Sequence, residues 1–187
     1  MTNIEYLQDF IGSTISHLDH IRLNGVRKEL SFTVNCGDLD DFNFVDIRKS
    51  EKFESIFKQL QELSGPTLYW FEIISDTDTK QVVETLKNSK TSENAKATPA
   101  LKAKVNYDSK VLYFGKVKGT FWGRLIQHLG FFKVNGTQGL QIFYWAKDLS
   151  LNLKINIFVF DNNMADIMPI VEYTFAERLQ PLVGKHQ

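Results

Sequence analysis

The sequence has very little cysteine, no long apolar run and no net charge. Its 187 residues include a single cysteine, Cys36, and 22 Lys and Arg balance 22 Asp and Glu. One cysteine excludes an internal disulfide and any zinc site built on several cysteines. No apolar run reaches the ~18 residues that a membrane span needs. The first ten residues, MTNIEYLQDF, lack the basic start and apolar run of a signal peptide. We therefore expect a cytoplasmic protein with no membrane partner.

Two common catalytic signatures are absent as well. The sequence has no G-x-x-x-x-G-K-[ST] loop to cradle a nucleotide phosphate and no G-x-S-x-G elbow to carry a serine nucleophile. His17 and His20 fall three residues apart, but no third ligand is spaced near them, so we interpret them as surface histidines.

The charge is unevenly divided along the chain. Residues 1–100 contain 11 Lys and Arg against 16 Asp and Glu, and residues 101–187 contain 11 against 6, which gives balances of −5 and +5. A basic C-terminal half is suited to face phosphate groups. The neutral total, taken alone, argues against a nucleic-acid partner.

The first 64 residues predict a small α/β region. An apolar side chain recurs every three or four positions, which predicts an amphipathic helix over 3–20. The residues in this repeat are Ile4, Leu7, Ile11, Ile15 and Leu18. Alternation in 29–34 and 41–47 predicts a β-hairpin, and an apolar stripe in 51–63 predicts a second helix.

The rest of the chain predicts strands and helices in mixed order. The predicted strands are 67–74, 111–115, 140–146 and 151–160. The predicted helices are 77–88, one at the end of the stretch 111–131, and 169–180. The segment 87–98 is polar with almost no apolar anchor, which predicts a mobile loop.

These elements predict an α+β fold with a small, mostly antiparallel central sheet flanked by helices. We expect residues 65–187 to form the main domain and residues 1–64 to form an N-terminal α/β appendage whose role the sequence leaves open.

One stretch, 111-VLYFGKVKGTFWGRLIQHLGF-131, sets four polar groups around a predicted strand-to-helix turn. Arg124 and His128 are four residues apart, so they share one face of a helix. Taken singly, each residue has an ordinary explanation. Tyr113 suits a core strand, Lys116 suits an exposed turn, and the Arg124 face suits solvent.

The order of these residues resembles the GIY-YIG nuclease superfamily. Residues 67-TLY-69 correspond to the first motif and 113-YFG-115 to the second, and Lys116 follows the second motif as it often does in the superfamily. Arg124 and His128 have the superfamily's R-x-x-x-H spacing on the next helix.

The last helix extends the resemblance over residues 65–187. Glu172 opens this helix and Pro181 closes it, as in many members. Thr67 stands where the first motif has glycine, and Gly184 stands where the superfamily often has asparagine. The helix and loop of 77–108 would be an insertion between the two motifs.

The resemblance implies a Mg²⁺-dependent endonuclease that cuts DNA, with Mn²⁺ as a possible substitute. Glu172 would hold the metal, since magnesium accepts one carboxylate plus several waters. Arg124 would bind phosphate oxygens through its planar fork. The implied catalytic residues are Tyr69, Tyr113, Lys116, Arg124, His128 and Glu172.

The two tyrosines are alternatives for the same role. Either Tyr69 or Tyr113 would take the proton of the attacking water if cations such as Lys116 lower the pKa of its phenol. His128 would relay a proton or hold phosphate. The lysines expected to meet nucleic acid are Lys96, Lys102, Lys104 and Lys118.

Other interpretations stay open. The same scaffold could bind nucleic acid or protein without cutting anything, which the neutral charge and the missing asparagine favour. The motif match could also be accidental. The choice between DNA and RNA, the specificity of cleavage and the oligomeric state are not determined by the sequence.

Overall fold

The fold is α+β. The computed structural model describes residues 2–41, 43–93, 95–131 and 138–185. Within these ranges the strands are β1 (Lys28–Asn35), β2 (Thr67–Ile73), β3 (Val111–Val117) and β4 (Asn152–Val159). The helices are α1 (Asn3–Asn24), α2 (Glu54–Gln61), α3 (Thr79–Ser89), α4 (Phe121–Leu129) and α5 (Met168–Leu179). No helix in these ranges has the length and apolarity that a membrane span requires.

The four strands form one antiparallel sheet in the order β1-β4-β2-β3. This confirms the predicted small antiparallel sheet. Strand β2 lies inside the sheet between β4 and β3, and five of its seven residues are buried, as its nearly continuous apolar sequence predicted. Strand β3 lies at one edge, where the segment after α5 runs along its first half. There the Leu182 and Val183 N–H groups donate to the Val111 and Leu112 carbonyls.

Helices cover both faces of the sheet. On one face, α2, α3 and α4 pack with Tyr69, Phe71 and the other inward residues of the main core. On the opposite face, α5 packs its Val171 against Leu68 of β2 and Phe114 of β3. Alternate residues of β3 therefore point to different helices, and the polar residues of this strand are divided between the two faces.

The sheet and the core both cross residue 64, where we expected the appendage to end and the main domain to begin. Strand β1 pairs with β4 along its whole length, from Lys28 opposite Val159 to Asn35 opposite Asn152. Phe57 of α2 is buried in the same cluster as residues of β2 and β4. Pairing between strands more than 100 residues apart leaves no local signal in the sequence.

Two predicted strands are wrong. Residues 43–47 contain no strand, and 47–49 form a 3₁₀ turn in which Asp46 accepts a hydrogen bond from the Arg48 N–H; Phe42 lies outside the described residues. Residues 142–144 form another 3₁₀ turn after Gln141, whose positive φ of 55° ends an extended path. In both stretches 3₁₀ turns bury the apolar residues. Hydrophobic periodicity does not distinguish such a turn from a buried strand.

The polar segment after α3 has anchors that its sequence does not suggest. The Lys90 ammonium donates hydrogen bonds to the carbonyls of Thr98 and Pro99, at 3.1 and 2.8 Å. Thr98 and Pro99 are buried, and Leu101 forms a β-bridge with Val183. These contacts join the two ends of the segment, and the mobility expected between them stays a prediction; Asn94 lies outside the described residues.

Candidate functional site

The predicted site residues lie on four elements around the edge strand β3. Tyr69 projects from β2 and Tyr113 from β3 on the face that α4 covers, and α4 turns both Arg124 and His128 towards them. The four-residue spacing predicted this shared face. Helix α4 ends at Leu129, and the φ of 102° at the following Gly130 stops the helix there.

Tyr69, Arg124 and His128 form a hydrogen-bonded network. The Tyr69 hydroxyl lies 3.0 Å from His128 Nε2 and accepts a hydrogen bond from Arg124 Nε at 3.2 Å. The backbone N–H of Leu140 donates to His128 Nδ1 at 3.1 Å. Because Nδ1 is an acceptor, the neutral imidazole carries its proton on Nε2 and donates it to Tyr69.

Burial holds both members of this pair neutral. His128 is completely buried, and burial together with the charge of Arg124 holds its pKa well below the ordinary value of 6.5. Tyr69 is also completely buried, and burial raises its pKa well above 10, with Tyr113 adding to the rise and Arg124 opposing it. A base for water needs the opposite shift, so the burial of Tyr69 argues against that expected role.

His128 does not reach the open part of the site. Its two ring nitrogens face Tyr69 and the Leu140 N–H, and its side chain has no exposed surface. Direct contact with phosphate, one of the roles expected for it, is not possible in this arrangement. His128 instead fixes the Tyr69 hydroxyl, which in turn contacts Arg124.

Gly115 is required where the two tyrosine hydroxyls meet. It lies opposite Tyr69 in the β2–β3 register. A Cβ atom on Gly115 would lie 2.9 Å from the Tyr69 hydroxyl, 3.0 Å from the Tyr113 hydroxyl and 2.8 Å from Cε1 of Tyr113. Two of these distances are shorter than Cβ contacts in proteins and the third is shorter than most, so the glycine of the YFG motif provides space for the paired phenols.

A pocket of about 150 Å³ opens in front of this network. Its wall combines a phenol, a guanidinium, a carboxylate and an ammonium from separate parts of the chain. The lining residues are Pro99, Tyr113, Arg124, Gln138, Glu172, Gly184 and Lys185. The structure therefore brings three of the six predicted catalytic residues, Tyr113, Arg124 and Glu172, to one concave surface.

The guanidinium of Arg124 is held in a fixed orientation in the pocket wall. Its Nη1 donates to the Gln127 side chain at 2.7 Å, its Nη2 donates to the Gln138 carbonyl at 3.0 Å, and its Nε contacts Tyr69. A planar group fixed by three hydrogen bonds gives up little further entropy when it binds an anion.

Lys116 and Glu172 form a partly buried ion pair on the other side of β3. Lys116 alternates with Gly115, so it points to α5, where its ammonium donates to Glu172 Oε2. The two side chains are 30% and 18% exposed. Lys116 is therefore a neighbour of the carboxylate and not of the phenols, contrary to its expected action on a tyrosine.

The donor set fits a hydrated Mg²⁺ ion only through Glu172. No cluster of three or more His, Cys, Asp or Glu residues occurs among the described residues. Glu172 is the carboxylate of the pocket, and magnesium accepts one carboxylate when waters complete its octahedron. Lys116 contacts Oε2 of Glu172, so a metal ion at this carboxylate would bind beside the positive charge of the ammonium.

The four lysines expected to meet nucleic acid lie in different places. Lys102 and Lys104 line a groove beside α5, and Lys102 borders a second groove that shares Gly184 and Lys185 with the pocket. Burial lowers the pKa of Lys102, while Glu177 opposes that shift. Lys96 lies over the Tyr144 ring at 5.0 Å and Lys118 is exposed beyond the end of β3; neither lines these grooves.

The sequence does not predict three residues of the pocket wall, Lys185, Gln138 and Pro99. Lys185 and Gln138 lie in short polar stretches apart from any motif, and Pro99 directly follows the polar segment 87–98. Of the residues next to these three, only Gly184 is noted from the sequence, because it stands where the superfamily often has asparagine. Its φ of 105° favours glycine, which lets the chain after α5 turn beside the pocket.

Comparison with known protein families, with curated proteins and with solved structures finds no match to this chain.

Proposed function

We propose that the protein is a metal-dependent endonuclease of the GIY-YIG type that hydrolyses phosphodiester bonds, with DNA as its substrate. The observation that carries this proposal is the pocket in which Tyr113, Arg124 and Glu172 meet. Phosphodiester hydrolysis requires an oriented water, a cation for the charge that grows on phosphorus oxygens, and an anionic anchor for a metal ion. These three residues match the three requirements.

Arg124 binds the non-bridging oxygens of the scissile phosphate. Its hydrogen bonds with Tyr69, Gln127 and the Gln138 carbonyl fix the guanidinium before substrate arrives. Charge on these oxygens increases in the transition state, so a fixed guanidinium stabilises that state more than the ground state.

Tyr113 orients the attacking water and takes its proton. Of the two phenols above Gly115, it is the one that lines the pocket. Tyr69 and His128 are positioning residues, since both are buried behind Arg124.

Glu172 would hold the metal together with bound waters. When bound, Mg²⁺ supplies positive charge for the phosphate and a water of lowered pKa. Lys116 keeps the Glu172 carboxylate paired in the absence of that ion.

A second function, binding of nucleic acid without cleavage, is favoured by the same ion pair. A carboxylate that is already neutralised by Lys116 has less need of a metal ion. The pocket would then bind a phosphate through Arg124 and Lys185 and release it unchanged.

Glu172→Gln separates these functions. Glutamine keeps the shape of the side chain and removes the charge that a hard cation requires. Plasmid DNA, linear duplex DNA and single-stranded RNA would be incubated with Mg²⁺ or Mn²⁺, and binding would be followed by fluorescence anisotropy in EDTA. We expect the substitution to abolish cleavage of DNA and to retain or strengthen binding, because Lys116 becomes free to meet phosphate.

Glu62→Gln is the matched control. Glu62 follows α2, is exposed and borders neither the pocket nor the grooves beside α5, so this variant should cut as wild type does. If wild type binds DNA through Arg124 but cuts nothing, the second function replaces the first. If wild type neither binds nor cuts DNA or RNA, both are wrong.

A further inference from the structure

Helix α1 exposes nearly all of its apolar side chains. Its 22 residues extend about 33 Å, and none of them is fully buried. Its last turn touches the body of the protein, where Ile21 packs on the smaller core and His20 Nε2 lies 3.5 Å from Asp161 Oδ2. The large apolar residues that remain exposed are Ile4, Tyr6, Leu7, Phe10, Ile11, Ile15, Leu18 and Leu23.

The local sequence makes α1 a helix but does not make it stable alone. Thr2 and Glu5 form a capping box at its start. Even so, nucleation of a helix is unfavourable, and most helical stability in proteins comes from packing an apolar face. The exposed face of α1 therefore requires a partner.

The spacing of that face identifies the partner. Five residues, Ile4, Leu7, Ile11, Ile15 and Leu18, form a continuous stripe. Counted from Ile11, they lie at −7, −4, 0, +4 and +7, so the stripe reads the same in both directions. A two-fold axis beside Ile11 places Ile4 against Leu18 of another copy and Leu7 against its Ile15, which is the self-complementarity of an isologous interface.

We propose that the protein is a homodimer in which two α1 helices pack antiparallel about a two-fold axis beside Ile11. This goes beyond the proposed nuclease function and does not depend on it.

The exposed area is sufficient for a stable dimer. Burial of one large apolar side chain removes roughly 100 Å² of apolar surface from water. The five residues of the stripe therefore offer about 500 Å² per copy, so the pair would bury about 1,000 Å², the size that a specific interface should reach. No charged residue interrupts the stripe from Ile4 to Leu18.

The charges at the helix ends favour the antiparallel arrangement. Arg22 follows Ile4 by 18 residues, which is five turns, so it extends the same face. Parallel packing would bring two Arg22 side chains together at one level. Antiparallel packing moves each Arg22 beyond the start of the other helix, away from the second Arg22, and sets the two protein bodies at opposite ends of the pair.

Sedimentation velocity on the full-length protein tests the dimer. We expect a dimer with a Kd of about 1 µM or below. Ile11→Asp would place two carboxylates at the axis and should weaken the dimer at least ~100-fold. Ser16→Asp adds the same charge about 140° away on the exposed opposite side of the helix and should leave the dimer intact. Circular dichroism checks that both variants fold.

Cross-linking tests the direction of the helices. Cys36 is fully buried, so a cysteine introduced on α1 is the reactive one. A mixture of Leu7→Cys and Ile15→Cys chains, one carrying a size tag, should cross-link through a short bis-maleimide far better than either chain alone. In the antiparallel pair, two copies of residue 7 are offset by about 12 Å along the helix.

Three results would overturn the proposal. A wild-type monomer at ~100 µM, where such a dimer would be almost fully formed, excludes self-association. Preferred cross-linking of each cysteine variant with itself would show parallel packing. Flotation of a monomeric protein with vesicles of phosphatidylcholine and phosphatidylserine would assign the stripe to a lipid surface.

Discussion

The imidazole Nε2 of His128 lies 3.0 Å from the hydroxyl of Tyr69, and both side chains are completely buried. Neither group carries a charge at neutral pH, because burial disfavours the imidazolium and the phenolate alike. Their hydrogen bond joins β2 to α4 and fixes the hydroxyl that accepts from Arg124. The chemistry of the pocket thus depends on two groups that do not reach it.

The neutral state of His128 predicts a loss of stability in mild acid. Its pKa in the folded protein lies well below 6.5, whereas in the unfolded chain it is near 6.5. Below pH 6.5 the unfolded state therefore binds the additional proton, and the free energy of unfolding should fall by up to ~1.4 kcal/mol per pH unit. Urea unfolding between pH 5 and 8 measures this slope.

The same titration identifies the residue responsible. In His128→Gln the part of the slope between pH 6.5 and 5 should disappear, although the variant is less stable at every pH. Imidazole nitrogen NMR of wild type at pH 6 should show a neutral ring with its proton on Nε2. An imidazolium signal at that pH would contradict the assigned network.

Gly115 predicts a steric test of the paired phenols. In Gly115→Ala the new methyl group crowds the ring of Tyr113 and the hydroxyls of Tyr69 and Tyr113. We expect a destabilisation of about 1–3 kcal/mol and weaker phosphate binding, because a displaced Tyr69 no longer holds Arg124 in place. Thermal unfolding and anisotropy with a labelled duplex measure the two effects.

Gly123→Ala is the control for that substitution. Gly123 lies in α4 one residue before Arg124, and a Cβ atom there would meet nothing within 4 Å. Alanine is the better helix former, so this variant should gain about 0.5–1 kcal/mol and keep its binding. Equal effects of the two substitutions would show that space at Gly115 is unimportant.

Elements with a strong local pattern could be predicted from the sequence. The apolar run of β2, the alternation of β4 and the stripes of α2, α3 and α5 are confirmed to within three residues at most ends. The place of β1 in the sheet could not be predicted, because its partner β4 lies more than 100 residues away. The strand predicted over 140–146 is wrong, since apolar side chains are buried equally well by a 3₁₀ turn.

The part of the site that follows from local helix geometry could also be predicted from the sequence. A spacing of four placed Arg124 and His128 on one face of α4, and that depends only on helix geometry. The separation of Lys116 from Tyr113 by the plane of the sheet depends on the register of β3, which only its pairing with β2 defines. Lys185 and Gln138 enter the pocket through loops, whose paths have no periodic signal.

The grooves beside α5 predict a path for the nucleic-acid backbone. Lys102, Lys104 and Lys185 border grooves that adjoin one another and the pocket. Replacing all three by glutamine should weaken binding of duplex DNA at low salt. The slope of log K against log salt should also become shallower, by up to ~0.9 for each phosphate that the variant no longer neutralises. Anisotropy titrations at several salt concentrations give both quantities.

A matched triple variant controls for net charge. Lys28, Lys52 and Lys58 are exposed in the N-terminal third and border none of these grooves. Their replacement by glutamine removes the same charge and should leave the salt slope as in wild type. An equally shallow slope in both variants would show that the change in salt slope comes from the overall charge, and that the grooves are not part of the interface.

Arg124→Lys tests whether the guanidinium acts as a fork or only as a charge. Lysine keeps the positive charge but cannot reproduce the hydrogen bonds with Tyr69, Gln127 and the Gln138 carbonyl at once. We expect the single-turnover rate of DNA cleavage to fall by ~100-fold or more, whereas the free energy of unfolding should fall by only about 1 kcal/mol for the missing hydrogen bonds. Arg178→Lys, at an exposed position of α5, should change neither quantity. If Arg124→Lys loses several kcal/mol of stability and the folded fraction cuts at the wild-type rate, Arg124 is a structural residue, and the pocket must bind phosphate through another cation.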